Sequence, residues 1–168
     1  MYALTEHFRT MASYNQWMNR KLYKICACLS DEQRKRDLGA FFRSIHGTLN
    51  HILLADRAWM GRFTGASTTF KSLDQELYTD FERLLAEREK DDRRIISWVM
   101  SLNDNDLGDE LRYTGMTDPQ PRKYPLWFAL SHFFNHQAHH RGQTTTMIKQ
   151  LGIDPGVTDL IMLPEFQS

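Results

Sequence analysis

Four of the seven histidines fall between positions 132 and 140, in the segment SHFFNHQAHHRGQ. Imidazole exchanges a proton near neutral pH and, through a neutral ring nitrogen, binds divalent transition ions. Two imidazoles on one helix can share an ion only three or four residues apart, where their Cβ atoms stand about 5 to 6 Å from each other. The pairs His132 with His136, His136 with His139 and His136 with His140 meet that condition, so each contains His136. With about 100° of turn per residue, the stripe of Leu126, Ala129, Leu130, Phe133, Met147, Ile148 and Leu151 lies on the His140 side of His136. His132 and His139 fall towards its edge. The spacing therefore favours His136 and His140 as a pair turned inward.

Two imidazoles rarely complete a site. The second helical pattern rich in candidates is SIHGTLNHILLADRAW, with His46 and His51. Periodicity does not choose between them. Sterics favour His51, because Gly47 one turn before it and Ala55 one turn after leave room for an ion and its water. His46, by contrast, is flanked by Phe42 and Asn50. A lone helical histidine is more often a surface or hydrogen-bonded residue, but burying two unpartnered imidazoles would cost a few kcal/mol. The metal reading thus rests on His51, His136 and His140. Three neutral imidazoles with an open position can lower the pKa of a bound water towards ~7, or polarise a substrate oxygen or sulfur. No general base can be named from the sequence. Gln143 and Asn50 are candidates for groups that orient the ligands, set against capping or solvated roles. Gly47 and Gly142 each cost about 1 kcal/mol inside a helix relative to alanine, and both are expected to allow close backbone approach around the site.

The elements that must carry these residues follow from periodicity. Leu4, Phe8, Met11, Met18, Leu22 and Ile25 mark a long helix over about 4–29, without proline or glycine. Ser30 with Gln33 reads as a capping box, and a second long helix is predicted from Ser44 to Phe63, stopped by Gly65. A third covers about Asp80 to Leu102, with the run EREKDDRR read as a solvated face. The Asn-, Asp-, Gly- and Pro-containing stretch from 103 to 124 holds two short candidate strands, Leu111 to Tyr113 and Arg122 to Tyr124. Pro125 suits the first turn of a fourth helix running to about Leu151. Four amphipathic helices in one all-α domain spanning 1–168 argue for a four-helix bundle with a small hairpin before its last helix.

Bulk properties exclude several function classes. The 168 residues make one ordinary domain. Lys plus Arg, 21, balances Asp plus Glu, 21, so no net charge draws the chain to nucleic acid or an anionic membrane. The start MYALTEHFRTM lacks the apolar run of a secretory signal, and no stretch approaches the ~20 apolar residues of a membrane span. A cytoplasmic protein with reduced cysteines is expected, since Cys26 and Cys28, two apart on a helix, point to different sides.

At these residues the sequence resembles the DinB/YfiT-like family of metal-binding four-helix bundles over nearly its whole length. Tyr14-Asn15-Gln16-Trp17 followed by Asn19 is similar to the family's first-helix pattern, and Ser44 to Trp59 to its second. His136, His140, Arg141, Gly142 and Gln143 match the H-x-x-x-H-R-G-Q signature, and Asp159-Leu160 resembles the usual tail. The resemblance implies an up-up-down-down bundle with a long crossover after the second helix, commonly a homodimer. It also implies a divalent transition ion, nickel or zinc above all, on His51, His136 and His140. Relatives include thiol S-transferases and a thiol-dependent isomerase, so it implies a small-molecule substrate and a low-molecular-weight thiol. A metal-dependent transferase or hydrolase is the first reading, and a non-catalytic metal-binding dimer with a structural or stress-related role is the alternative. The family name records induction by DNA damage and implies neither DNA binding nor polymerase activity.

Overall fold

A computed structural model describes residues 3–66, 68–115 and 120–167. The chain runs α1 (Leu4–Ala27), α2 (Asp31–Lys35), α3 (Ile45–Thr64), α4 (Phe81–Ser101), β1 (Glu110–Thr114), β2 (Pro121–Pro125) and α5 (Leu126–Gln150). The punctuation is chemical. Ser30 and Gln33 form a reciprocal capping box at α2, while Ser44 and Asp80 accept from the third backbone N–H groups of α3 and α4. Gly65 ends α3 at φ 68, in the left-handed region that glycine enters without penalty. β1 and β2 pair antiparallel with Tyr113 opposite Arg122, each strand one residue longer at either end than the sequence predicts. Residues 116–119 of the predicted turn lie outside the described residues.

The four long helices pack so that α1 and α3 each touch both α4 and α5. Two apolar clusters fill the interior. One gathers Met18, Leu22, Leu49, Leu53, Leu84 and Ile148, the other Phe8, Trp59, Ile95, Val99, Leu130 and Phe133. On each long helix the residues between the two clusters are polar and buried: Asn15 and Asn19, Asp56, Arg88 and Asp92, and Gln137 and Arg141. They bond to one another, while Asn15 Nδ2, Arg88 Nε, Gln137 Oε1 and Arg141 Nε have no hydrogen-bond partner among the described residues. Arg88 Nη1 donates to Asp56 Oδ2 at 2.5 Å and its Nη2 stands 3.0 Å from Asp92 Oδ1. Gln137 Nε2 donates to Asp56 Oδ1 and Asn19 Nδ2 to Asp92 Oδ1, both at 2.8 Å. Arg141 donates to Asn15 Oδ1 beside the Tyr14 ring. Burial pushes the Asp56 carboxyl up to about 6 while Arg88 and Gln137 pull it down. Burial alone would lower the pKa of Arg88, but Asp92 and Asp56 outweigh it and raise it.

This layer corrects the reading of EREKDDRR as a solvated face. Arg88 and Asp92 point into the interior, and Glu87 and Asp91 grip Arg57 of α3 at 2.6 Å each. Only Glu89, Lys90, Arg93 and Arg94 are exposed. Charge type alone hides this, because the partners Asp56 and Arg57 lie on another helix. Cys26 is buried, Cys28 exposed, and neither is in a disulfide. No described helix is long and apolar enough to cross a membrane.

The two helical glycines differ. A Cβ on Gly47 would stand 2.4 Å from the Phe42 carbonyl oxygen, so the turn before α3 presses on this position. A Cβ on Gly142 would meet nothing within 4 Å, which overturns the close-approach reading there, and nothing in the structure explains that glycine. Opposite outcomes follow. Gly47→Ala should destabilise by about 1–3 kcal/mol through overpacking, whereas Gly142→Ala should stabilise by about 0.5–1 kcal/mol through helix propensity. Urea unfolding of the two variants checks both signs.

Candidate metal centre

α3 and α5 lie side by side, and their contact brings His51 against His136 and His140. One ligand nitrogen from each of the three lies within 4.8 Å of the other two. His136 Nε2 stands 3.4 Å from His51 Nε2 and 3.1 Å from His140 Nε2. Tetrahedral bonds of about 2.0–2.1 Å place neighbouring ligand nitrogens about 3.3 Å apart, so these separations suit one small cation.

The proton positions strengthen the fit. His51 Nδ1 lies 2.8 Å from the Leu73 carbonyl oxygen, which can only accept, so that nitrogen carries the hydrogen and Nε2 is a bare acceptor. His140 Nδ1 is likewise 2.8 Å from Gln143 Oε1. With the Gln143 amide in that orientation its Nε2 faces His139 Nε2 at 3.3 Å. His136 Nε2 therefore faces two bare acceptors, and a single proton there can serve only one of them. A cation satisfies all three.

Electrostatics keep the rings neutral. Burial lowers the pKa of His51 to about 4, against the opposing Leu73 hydrogen bond. Burial, then the neighbouring His140 and His51, lowers that of His136 to about 3. His140 is also lowered by burial, with Gln143 opposing. Neutral imidazole is the form that binds metal.

Local structure explains the placement. On α5, His136 and His140 face the centre, while Gln137 and Arg141, one residue on from each, enter the buried polar layer. Their bonds to Asp56 and Asn15 tie the helix to α3 and α1. Asn50 Oδ1 accepts from the backbone N–H groups of Leu77 and Tyr78 at 2.9 Å each, tethering the segment that supplies the Leu73 carbonyl. Arg43, at φ 66, turns the chain into α3, and the Phe42 ring stacks on His51 with centroids 3.7 Å apart. Phe42 also meets His140 edge-on at 5.5 Å.

The three sequence-selected histidines thus come together, and the other candidates do not join them. His46 is buried elsewhere, its Nε2 against the Tyr78 carbonyl and Glu76. His139 is exposed and held by Gln143, and His132 lies against Trp59. The steric premise for His51 does not hold, since the space over Gly47 is taken by the Phe42 carbonyl. Gln143 does orient a histidine, whereas Asn50 acts through the crossover segment. Leu73 and Phe42 were missed, because neither a backbone acceptor nor a stacked ring far along the chain leaves a mark in spacing.

Comparison with known proteins bears on the fold and the family. Protein DinB of Bacillus subtilis is 25% identical over 149 residues, which cover 87% of each chain. A DinB-like protein of Bacillus cereus, known from a crystal structure, superposes with a TM-score of 0.60 at 22% identity, over 83% of this chain and 90% of that one. That likeness speaks for the fold. The DinB family profile matches residues 1–167, so the chain belongs to the DinB family.

Proposed function

We propose that the chain is a metal-dependent enzyme of the thiol S-transferase or hydrolase type, with a divalent ion on His51, His136 and His140. The single observation that carries this is the convergence of three imidazole nitrogens, two of them fixed as bare acceptors by hydrogen bonds on their far sides. When bound, such an ion supplies Lewis acidity, which lowers the pKa of a coordinated water or thiol. The chain's own residues orient the ligands, keep them neutral and shield one flank of the centre with Phe42. Among the described residues the group numbers three, and His136 is only half buried. Both favour an open position over the closed four-ligand site of a structural metal that would merely tie α3 to α5. The reading places the centre in one domain, an up-up-down-down four-helix bundle with a long crossover after α3. It also takes in a cytoplasmic homodimer, a small-molecule substrate, a low-molecular-weight thiol, and nickel or zinc as the ion. Turnover of an activated ester or thiol acceptor should require the ion and vanish in His140→Ala while circular dichroism stays unchanged. Activity that survives that change would rule the ion out as its agent.

The lowered pKa values set a pH dependence. Protons compete with the ion only as pH approaches the pKa of the free ligand. With all three ligands lowered, His51 to about 4 and His136 to about 3, apparent affinity should begin to fall at a lower pH than ordinary imidazoles would give. Ordinary imidazoles would lose the ion from about 6.5 downward. Metal titrations across pH, with circular dichroism at each point, separate the two.

A further inference from the structure

Among the described residues, the buried or half-buried Arg9, Arg34, Arg57, Arg88 and Arg141 each donate to a carboxylate or carbonyl oxygen. Arg62, half-buried in the last turn of α3, has no such partner among the described residues. Its guanidinium carbon lies 4.4 Å from the centroid of Trp59 on its own helix and 4.4 Å from that of Tyr113 on β1. Two aromatic neighbours hold the guanidinium plane without using its N–H groups. That arrangement fixes the orientation of a fork suited to an oxyanion. Tyr113 is opposite Arg122 in the hairpin, and Arg122 adds positive charge close enough to lower the pKa of Arg62, after the larger effect of burial. From Arg62 a row of rings leads to the centre. Trp59 lies 5.0 Å from His132, and His132 lies 5.9 Å from His136, one turn along α5.

We propose that Arg62 is an anion-binding residue of the substrate site, taking the carboxylate or phosphate of a small molecule whose other end reaches the three-histidine centre. This rests on the reading of that centre as a metal site with an open position. Recognition of the anion at one end and coordination at the other would select bifunctional substrates over uncharged ones of the same length.

The test uses cobalt(II)-loaded protein and a series of ω-mercaptoalkanoates of increasing chain length, beside the ω-mercaptoalcohols and ω-mercaptoalkyl phosphates of equal length. The thiolate-to-cobalt absorption band reports binding without turnover. At the length that spans both sites, an anion should bind about tenfold tighter than its alcohol. Arg62→Gln should erase that preference while leaving alcohol affinity unchanged, and Arg62→Lys should restore part of it. A larger gain for the phosphates than for the carboxylates identifies phosphate as the natural group, and the reverse identifies carboxylate. A cobalt band with equal acid and alcohol affinities at every length, or a preference that persists in Arg62→Gln, overturns the role of Arg62 alone. Failure of cobalt to give a histidine-dependent spectrum overturns the metal centre and the anion site together.

Discussion

His136→Ala is expected to weaken divalent-ion binding by about 100-fold or more while helical content stays unchanged. His136 Nε2 is the vertex of the group, 3.4 Å from one partner nitrogen and 3.1 Å from the other, and without it His51 and His140 keep rings 4.6 Å apart with one ligand bond lost. Structural zinc sites bind with about 10–16 kcal/mol in total, so one ligand of three or four carries about 3 kcal/mol, a factor of ~100. Gln143→Ala, which removes the acceptor on His140 Nδ1 and the contact with the exposed His139 but no ligand, should cost about tenfold. Competition titration against a chromogenic chelator measures both, and a His136→Ala affinity within a few-fold of the parent would remove the basis for a shared cation. The metal-free protein carries a second signature. The folded-state pKa of His136 is about 3 and the unfolded value 6.5, so as pH falls from 6.5 the unfolded chain gains a proton that the folded chain refuses. Stability is therefore lost on acidification through this window. His136→Ala lacks the group, and its melting temperature should fall less steeply between pH 7 and pH 5.

How much of this was legible depends on the reach of the interaction. His136 with His140 is a spacing rule within one helix, and the caps at Ser30, Ser44 and Asp80 are local chemistry of the same kind. Such features can be read directly from sequence. The selection of His51 over His46 needed knowledge of where the crossover segment runs, because its Tyr78 carbonyl claims His46 and its Leu73 carbonyl orients His51. The family signature links His140, Arg141 and Gln143, yet the three act differently: one faces the centre, one crosses to Asn15 in the interior, and one orients the first. Arg88 and Asp92 were misread because an i,i+4 ion pair looks the same on a wet face and in a dry core. Only the neighbouring helix decides which it is.

Asp56→Ala should destabilise the fold by about 3–5 kcal/mol, the second large effect expected. Asp56 is buried, receives Arg88 at 2.5 Å and Gln137 at 2.8 Å, and joins α3 to α4 and α5 in one contact. Its removal leaves Arg88, one of the most deeply buried side chains, with Asp92 as its remaining carboxylate. An under-compensated charge in the interior carries this penalty, whereas the intact pair contributes little net stability over apolar residues of the same size. Arg88→Met alone would strand the buried Asp92 in turn, so Arg88→Met together with Asp92→Asn in the Asp56→Ala background should recover much of the loss, and the changes are strongly non-additive. For a chain of this length the single variant should melt roughly 8–15 °C lower, and the combined variant distinctly higher than the single. Gln137, next to His136 on α5, loses its acceptor in both variants. A combined variant that regains stability but binds the ion more weakly than the parent would show that the buried layer serves to set the rotation of α5, with the histidine pair following that rotation.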